Sequence, residues 1–367
     1  MRSPKILISG GGTGGHVFPA IAIANAIKEM EPNAEILFIG ALGKIEMDKV
    51  PAAGYKIIGL DIKGLQRKLT FDNLKFPIRL LKSLWKSKKI IKEFKPDVAV
   101  GVGGYASGPM LQVAKSQDVP YLLQEQNSYA GITNKLLASA ASKICVAYEG
   151  MDKFFPADKI LLTGNPVRSE LLKIKGLREE AIKFFDLDST KKTIFITGGS
   201  LGARTLNESV MSQMDLINAS DVQIIWQTGR FYYSTIVENA SPQMRSGIKI
   251  FEFISNMDMA YAAADVIIAR AGAGTISELC LVQKPVVLVP SPNVAEDHQT
   301  KNAMSLVNKN AAVLIKDSEA KTKLIPTVLE LLKNEKQLAE LSQNISALAK
   351  PNAANDIAIE VLKLIKR

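Results

Sequence analysis

The chain has 367 residues, of which 47% are hydrophobic and 22% are charged, and its formal net charge at pH 7 is +10. These values are typical of a globular protein with two domains. No apolar run is long enough to span a bilayer, and a strand pattern begins at once, so we expect neither a transmembrane segment nor a signal peptide. Two cysteines and two histidines fit a reducing compartment and argue against a zinc site.

Short apolar runs, many of them β-branched, alternate with helical stretches along the chain. Continuous apolar runs of this kind are typical of parallel strands that are covered on both faces. The predicted fold class is therefore α/β, with doubly wound sheets. The predicted strands are Ile6–Ser9, Ile36–Ile39, Val98–Val102, Tyr121–Gln124, Ile144–Ala147, Thr193–Thr197, Ile224–Gln227, Ile248–Phe251, Val266–Ala269 and Val286–Val289.

A glycine-rich segment follows the first predicted strand, where residues 10–16 read Gly-Gly-Gly-Thr-Gly-Gly-His. Glycines let the backbone approach a ligand closely, and the start of the next helix offers N–H groups and a positive dipole to an anion. His16 can exchange protons near neutral pH. The segment therefore predicts phosphate binding and proton transfer in one place.

The same segment also matches Gly-x-Gly-x-x-Gly, the pattern of dinucleotide-binding folds, at Gly10, Gly12 and Gly15. That fingerprint includes an acidic residue at the end of the second strand, where this chain reads Ile39-Gly40-Ala41. An NAD-dependent oxidoreductase is therefore an alternative function. The other alternative is that these glycines only form a tight turn and bind no ligand.

The pattern of residues 5–16 has a weak echo in residues 193–204, where a strand, a glycine loop and a helix start recur. Each copy would open a Rossmann-like domain, and two such domains facing each other would form a cleft with a phosphate site on each wall. We expect an N-terminal domain over residues 1–163 and a C-terminal domain over residues 164–349. The pattern of residues 350–367 predicts a final helix. This helix could pack on either the N-terminal or the C-terminal domain.

Polar loops follow other predicted strands, at the edge where open α/β sheets bind ligands. In the first half these loops are residues 103–109 and 124–127. In the second half, small and hydroxyl residues at 270–278 suit a diphosphate at a helix start, and residues 290–299 suit sugar hydroxyls. Glu278 can accept two ribose hydroxyls, or only stabilise the helix N-terminus by its charge.

A basic segment lies at residues 63–95, with eleven Lys or Arg against two acidic residues. Its helical part, residues 74–94, has two apolar stripes. One stripe can pack on the domain, and we expect the other to be exposed beside cations, the form of a helix on anionic lipid. The alternative is that both stripes are buried, and nucleic acid would more often require a broader basic face. The residues assigned to the membrane are Leu74, Lys75, Ile78, Arg79, Leu81, Lys82 and Trp85.

Seven motifs in order resemble the family 28 glycosyltransferases of peptidoglycan synthesis, which have the GT-B fold of two Rossmann-like domains. Each motif alone is weak, but their order and separations make the match specific. The motifs are Gly-Gly-Thr-Gly-Gly-His-Val-Phe-Pro (11–19), Gly-Gly-Tyr-Ala-Ser-Gly-Pro (103–109), Glu-Gln-Asn (125–127), Thr-Asn-Lys (133–135), Gly-Asn-Pro-Val-Arg (164–168), Gly-Gly-Ser-Leu-Gly-Ala-Arg (198–204) and Gly-Ala-Gly-Thr-Ile-Ser-Glu (272–278).

The resemblance implies an inverting transfer of GlcNAc from UDP-GlcNAc to the MurNAc 4-hydroxyl of undecaprenyl-pyrophosphoryl-MurNAc-pentapeptide (lipid I), which gives lipid II. The N-terminal domain would take lipid I and associate with the membrane, and the C-terminal domain would bind UDP-GlcNAc. It implies a peripheral position on the cytoplasmic face of the cell membrane, no cofactor, metal or nucleic acid, and other proteins of cell-wall synthesis and division as candidate partners. The remaining alternative is a non-catalytic membrane protein that senses a nucleotide sugar.

The resemblance also assigns roles to residues. A base must take the proton of the acceptor hydroxyl, with His16 as the first candidate and Glu125 as the second. Tyr105 and Asn134 are expected to contact the acceptor. Many relatives have His before Glu-Gln-Asn, but this chain has Gln124, which cannot act as a base. The residues implied for UDP-GlcNAc are Thr13, Gly14, Gly15, Asn127, Arg168, Ser200, Ile254, Ala273, Gly274, Thr275, Ile276, Ser277, Glu278 and Gln299.

Overall fold

The structure is a computed structural model that describes residues 2–64, 76–167, 169–240 and 246–365. Three residues with predicted roles, Leu74, Lys75 and Arg168, lie outside the described residues. The chain divides into two compact units, Met1–Val167 with Asn352–Arg367, and Arg168–Pro351.

The strands of the first unit are β1 (Lys5–Ser9), β2 (Glu35–Ala41), β3 (Lys56–Leu60), β4 (Val98–Gly101), β5 (Tyr121–Glu125), β6 (Lys143–Val146) and β7 (Ile160–Leu162). The strands of the second unit are β8 (Lys192–Thr197), β9 (Val222–Gln227), β10 (Ile248–Phe251), β11 (Val266–Ala269), β12 (Val286–Leu288) and β13 (Val313–Leu314).

The α-helices are α1 (Gly14–Met30), α2 (Glu46–Ala52), α3 (Phe76–Phe94), α4 (Ser107–Ser116), α5 (Ile132–Leu137), α6 (Arg178–Phe184), α7 (Arg204–Ser212), α8 (Met214–Ala219), α9 (Tyr233–Ala240), α10 (Met257–Ala263), α11 (Ala273–Val282), α12 (His298–Val307), α13 (Ala320–Lys333), α14 (Glu335–Ser346) and α15 (Ala353–Lys363). Short 3₁₀ helices lie at Ala138–Ala140, Met151–Lys153, Ala157–Lys159, Ser169–Lys173, Ala295–Asp297 and Asp317–Glu319.

Each unit is built on a parallel sheet. Over the described residues, the first sheet has the order β3-β2-β1-β4-β5-β6-β7 and the second has the order β10-β9-β8-β11-β12-β13. The strand order reverses between β1 and β4 in the first unit, and between β8 and β11 in the second. Ligands of open α/β sheets bind at such a switch point, outside the carboxyl ends of the strands. A ligand site is therefore expected at the turns that follow these strands.

Both faces of the first sheet are covered by helices. Leu7 of β1 points into a core that includes Ile91 of α3 and Met110 of α4. Its neighbour Ile8 points into the opposite core with α1 and with Ile357 of α15. Burial of each side chain of this size stabilises the folded state by about 1.5–3 kcal/mol. The final helix therefore packs on the first unit.

Candidate active site

The turn after β1, residues 10–13, is named the first glycine turn. The N–H of Gly10 donates to Ile39 O at 3.1 Å, and that of Gly11 donates to Gly103 O at 3.2 Å. Gly11 has a φ of +141°, which favours glycine. A Cβ at Gly104 would lie 2.2 Å from the carbonyl oxygen of Gly11. The turns after β1 and β4 therefore pack backbone against backbone at the switch point.

The N-terminus of α1 opens beside this turn. The helix begins at Gly14, with Thr13 as an extended N-cap residue and no acidic residue in the first turn. The first N–H groups of a helix have no partner within it, and the helix dipole adds positive potential there. This end of α1, which includes Gly15, can therefore bind an anion.

His16 lies in the first turn of α1 and is partly buried. Its Nδ1 is 3.1 Å from Thr13 Oγ1. A Cβ built at Gly103, whose φ is +87°, would lie 3.0 Å from His16 Nε2, so the ring packs directly on the turn after β4. When Nδ1 carries the proton and donates it to Thr13, the imidazole Nε2 is the atom that can accept a proton.

Glu125, the other candidate base, has a carboxylate that holds a loop. The residue is 2% exposed. It accepts hydrogen bonds from the N–H of Asn127 at 3.1 Å, the N–H of Gly131 at 3.0 Å and the side-chain amide of Asn134 at 2.9 Å. Burial raises the pKa of the Glu125 carboxyl, and these hydrogen bonds act in the opposite direction. These contacts favour His16 over Glu125 as the base.

The two residues expected to contact an acceptor lie in different surroundings. Asn134 is buried and donates to Gln124 O at 3.2 Å as well as to Glu125, so its position suits support of the loop. Tyr105 is half-exposed on the turn after β4, and its ring lies against Gly64. Tyr105 is therefore the more exposed of the two side chains.

Gln124, which directly precedes the Glu-Gln-Asn motif, is fully buried. Its amide nitrogen donates to Asn165 Oδ1 at 2.9 Å, and its Oε1 accepts from the amide of Gln126. The Gln126 amide also donates to Val102 O at 2.8 Å. Gln124 therefore belongs to a buried amide network behind the polar edge.

In the second unit, Gln227 ties together the loops after three neighbouring strands. Its amide nitrogen donates to Thr197 Oγ1 at 3.2 Å and to Gly199 O at 3.1 Å, while its Oε1 accepts the N–H of Ile254 at 2.8 Å. Ser200 is exposed on the first of these loops. The resemblance implies Ile254 for UDP-GlcNAc, and because its N–H is engaged, a backbone contact of Ile254 with that donor would use its carbonyl oxygen.

The helix α11 presents a second N-terminus. Gly272 is its extended N-cap residue, and no acidic residue lies in the first turn. The residues at 273–277 are partly exposed apart from Ile276, which is buried. Glu278, one turn further on, accepts a hydrogen bond of 3.1 Å from Tyr261. The first turn therefore offers N–H groups of the kind that bind an anion, and Glu278 offers a carboxylate of the kind that accepts a hydroxyl group.

Arg270, just before this helix, forms a partly buried ion pair with Asp317. It also donates to Val289 O at 2.9 Å, and Asp317 Oδ2 accepts the hydroxyl of Thr205 at 2.9 Å. This network joins the turn after β11 to the start of α7. The sequence alone does not predict this network, because no local spacing relates these three residues.

The loop before α12 has an unusual backbone. Glu296 and Asp297 have φ values of +54° and +48°, in the left-handed region that costs a non-glycine residue about 1–3 kcal/mol. Gln299 Oε1 accepts the N–H of Ser291 at 2.9 Å, which closes the loop. Such strain is found where a loop is held in a defined shape, as at ligand sites.

Comparison with known proteins decides the family. "Glycosyltransferase family 28 N-terminal domain" matches residues 6–146, and "Glycosyltransferase family 28 C-terminal domain" matches residues 193–357. The chain belongs to glycosyltransferase family 28. This family 28 enzyme is therefore a glycosyltransferase, and the alternative of an NAD-dependent oxidoreductase is wrong.

Relatives of this family 28 enzyme are similar over their full length. A protein of Parabacteroides distasonis is 59% identical, with 100% of both chains covered, and one of Flavobacterium psychrophilum is 52% identical, with 100% and 99% covered. Both are named "UDP-N-acetylglucosamine--N-acetylmuramyl-(pentapeptide) pyrophosphoryl-undecaprenol N-acetylglucosamine transferase". The crystal structure of Acinetobacter baumannii MurG is 29% identical, with a TM-score of 0.80 and 98% and 99% of the chains covered. The predicted α/β fold with two Rossmann-like domains of the GT-B class is confirmed.

The family 28 enzyme has an Asp-x-Asp sequence, the pattern of metal-dependent sugar transferases, at Asp186 and Asp188 before β8. Asp186 is exposed and pairs with Lys249 at 2.7 Å, which lowers the pKa of the Asp186 carboxyl. Asp188 Oδ1 accepts the N–H of Thr190 at 2.9 Å. In the part of the chain that the structure describes, no group of three or more His, Cys, Asp or Glu side chains is arranged to hold a metal ion.

The family 28 enzyme carries an exposed apolar strip on α3, formed by Ile78, Leu81 and Trp85. They are 58%, 66% and 71% exposed. The opposite stripe, with Leu80 and Leu84, packs on the core of the first unit. This arrangement of the two stripes is as predicted, and membrane binding by the strip stays a prediction.

The cations beside this strip differ in their surroundings. Lys82 is exposed. The side chain of Arg79 is only 20% exposed, and its Nε lies 4.0 Å from Asp61 Oδ1, so it belongs to the contact with the loop after β3. None of the helices in the described ranges is both long and apolar enough to cross a membrane.

Proposed function

We propose that this family 28 enzyme transfers GlcNAc from UDP-GlcNAc to the MurNAc 4-hydroxyl of lipid I and so forms lipid II. The observation that carries the proposal is the 59% identity, over the whole of both chains, to the transferase of Parabacteroides distasonis, whose name gives this donor and acceptor. Two glycine turns, residues 10–13 after β1 and residues 198–202 after β8, lie at the switch points of the two parallel sheets. They fit a reaction in which both substrates carry a diphosphate.

In this proposal the first glycine turn and the N-terminus of α1 receive the pyrophosphate of lipid I. Thr13, Gly14 and Gly15, which the resemblance implies for UDP-GlcNAc, therefore serve the acceptor instead. His16 Nε2 takes the proton of the MurNAc 4-hydroxyl, and the 3.1 Å contact between Thr13 Oγ1 and His16 Nδ1 orients the ring. The acceptor oxygen then forms a bond to the anomeric carbon from the face opposite UDP. The bond between that carbon and the diphosphate oxygen breaks, so the configuration inverts and UDP leaves with the electron pair.

The donor is assigned to the second unit. The N-terminus of α11, residues 273–277, would carry the negative charge that grows on the departing diphosphate, since helix N–H groups and the helix dipole stabilise such charge. Glu278, oriented by Tyr261, would accept ribose hydroxyls. The carbonyl of Ile254 would meet the uracil, and Gln299 the sugar.

The exposed strip on α3 is assigned to the membrane that holds the polyprenyl acceptor. Three exposed apolar side chains next to exposed lysines suit the interface of an anionic bilayer. The enzyme would therefore act as a peripheral protein on the cytoplasmic face of the cell membrane. Proteins of cell-wall synthesis and division are candidate partners there.

The proposal is tested by incubating the protein with labelled UDP-GlcNAc and a lipid I analogue and identifying the product by mass. We expect a β1,4-linked disaccharide product, and competition by unlabelled UDP-GlcNAc that exceeds competition by UDP-glucose or UDP-GalNAc. Folded protein that binds UDP but transfers no sugar would instead support the nucleotide-sugar sensor, and would overturn the proposal.

A further inference from the structure

We infer that Glu46 is a positioning residue that fixes the first glycine turn in the shape that receives the acceptor. This inference rests on the proposed function of that turn. Glu46 is the first residue of α2 and is only 1% exposed. Its Oε2 accepts the N–H of Gly12 at 2.8 Å, and its Oε1 accepts the N–H of Ala41 at 2.9 Å. One carboxylate therefore ties the turn after β1 to the end of β2.

Two glycines make room for this carboxylate. A Cβ at Gly11 would lie 2.2 Å from the Glu46 carboxyl carbon, and a Cβ at Gly40 would lie 2.5 Å from its Cγ. Both contacts are closer than real Cβ atoms allow, so these positions accept no larger residue while Glu46 stays in place. The first glycine turn, the end of β2 and the Glu46 carboxylate therefore pack closely against one another.

The two hydrogen bonds also define what the turn offers to a ligand. Because the N–H of Gly12 is donated to Glu46, it is withdrawn from a ligand, and an acceptor phosphate is left the N–H groups at the start of α1, such as those of Gly14 and Gly15. The other anchors of the turn, at Gly10 and Gly11, are backbone hydrogen bonds. Glu46 is thus the side chain through which a substitution can loosen the turn without touching His16.

The test compares Glu46→Gln with Asp48→Asn, which removes the same charge from an exposed position on the same helix. A glutamine turns an NH₂ group toward one of the two backbone N–H groups, so one anchor is lost. We expect Glu46→Gln to raise the KM for the lipid I analogue by about tenfold, with the KM for UDP-GlcNAc within about twofold. Backbone hydrogen exchange in residues 10–15 should accelerate. Asp48→Asn should change none of these.

If Glu46→Gln does not fold, Gly40→Ala displaces the same side chain and should give the same selective rise in acceptor KM. Equal rises in both KM values, or an unchanged acceptor KM with unchanged exchange, would overturn the inference. If the unaltered protein transfers no GlcNAc, the proposed function fails. The hydrogen exchange of residues 10–15 then decides separately whether Glu46 holds the turn.

Discussion

The Nδ1 of His16 lies 3.1 Å from the hydroxyl oxygen of Thr13, across the first turn of α1. This contact fixes the plane of the imidazole, and the ring packs on Gly103. An oriented imidazole at the open end of a helix can take a proton from a sugar hydroxyl while the helix holds a neighbouring phosphate. In the proposed reaction, proton transfer and anion binding therefore depend on the same short segment.

Replacing Thr13 by Val should lower kcat by about tenfold, because the side chain keeps its shape but loses the hydrogen bond that orients His16. Thr13→Ser keeps a hydroxyl and should retain most of the activity. The measurement is kcat with both substrates saturating. Equal rates for Thr13→Val and Thr13→Ser would show that this hydrogen bond does not orient the base.

The buried Glu125 predicts a pH dependence of stability. Burial raises the pKa of this carboxyl in the folded protein above its unfolded value, so the folded state binds the proton more tightly. The contribution of Glu125 to the free energy of unfolding is therefore present at pH values below the pKa of the unfolded state. It is lost as the pH rises through the pKa of the folded state. In urea unfolding, the free energy of unfolding of the wild type minus that of Glu125→Gln should be larger at about pH 4.5 than at about pH 8. A difference that grows with pH would contradict this.

The sequence predicted most of the fold because the central strands are continuous apolar runs. The strands β3, β7 and β13 were missed, and each lies at the edge of its sheet. Edge strands are paired and covered on fewer sides, so their sequences carry a weaker apolar pattern. The predicted domain boundary after residue 163 lies close to the division after Val167, although the roles of the two domains stay predictions.

The site was only partly predictable. Motifs located the turns because glycines and helix starts are local features. Glu46, Gln227 and the ion pair of Arg270 with Asp317 were not predicted, because their partners are brought close only by folding. Asn134 was expected to contact an acceptor, but its motif gives no sign that the side chain is buried against Glu125.

The exposed strip on α3 predicts selective binding to anionic vesicles. Trp85→Glu combined with Lys82→Glu should abolish sedimentation with vesicles that contain phosphatidylglycerol, because apolar contact and charge attraction are both lost. Turnover of a water-soluble acceptor should stay the same. The matched control is Phe184→Glu with Lys183→Glu, an exposed pair on the second unit. Equal loss of vesicle binding in both variants would contradict the assignment.

The two thiols should be inert in the folded protein. Cys145 and Cys280 are buried, and burial raises the pKa of each thiol to about 12. The thiolate is the reactive form, so neither should react with a disulfide reagent at about pH 8 until the protein unfolds. Titration with and without denaturant checks this. Rapid reaction in native buffer would show that one of the thiols is accessible.

The pH profile of transfer in three proteins tests the central claim, that His16 is the base while Glu125 holds its loop. For the wild type, kcat/KM for the lipid I analogue should fall along a limb at acid pH, because a protonated imidazole cannot accept the proton of the acceptor hydroxyl. His16→Ala should lose that limb and about 10²- to 10⁴-fold in kcat, whereas Glu125→Gln should keep the limb at a reduced rate. Retention of the limb and most of the rate by His16→Ala, with their loss in Glu125→Gln, would contradict the account.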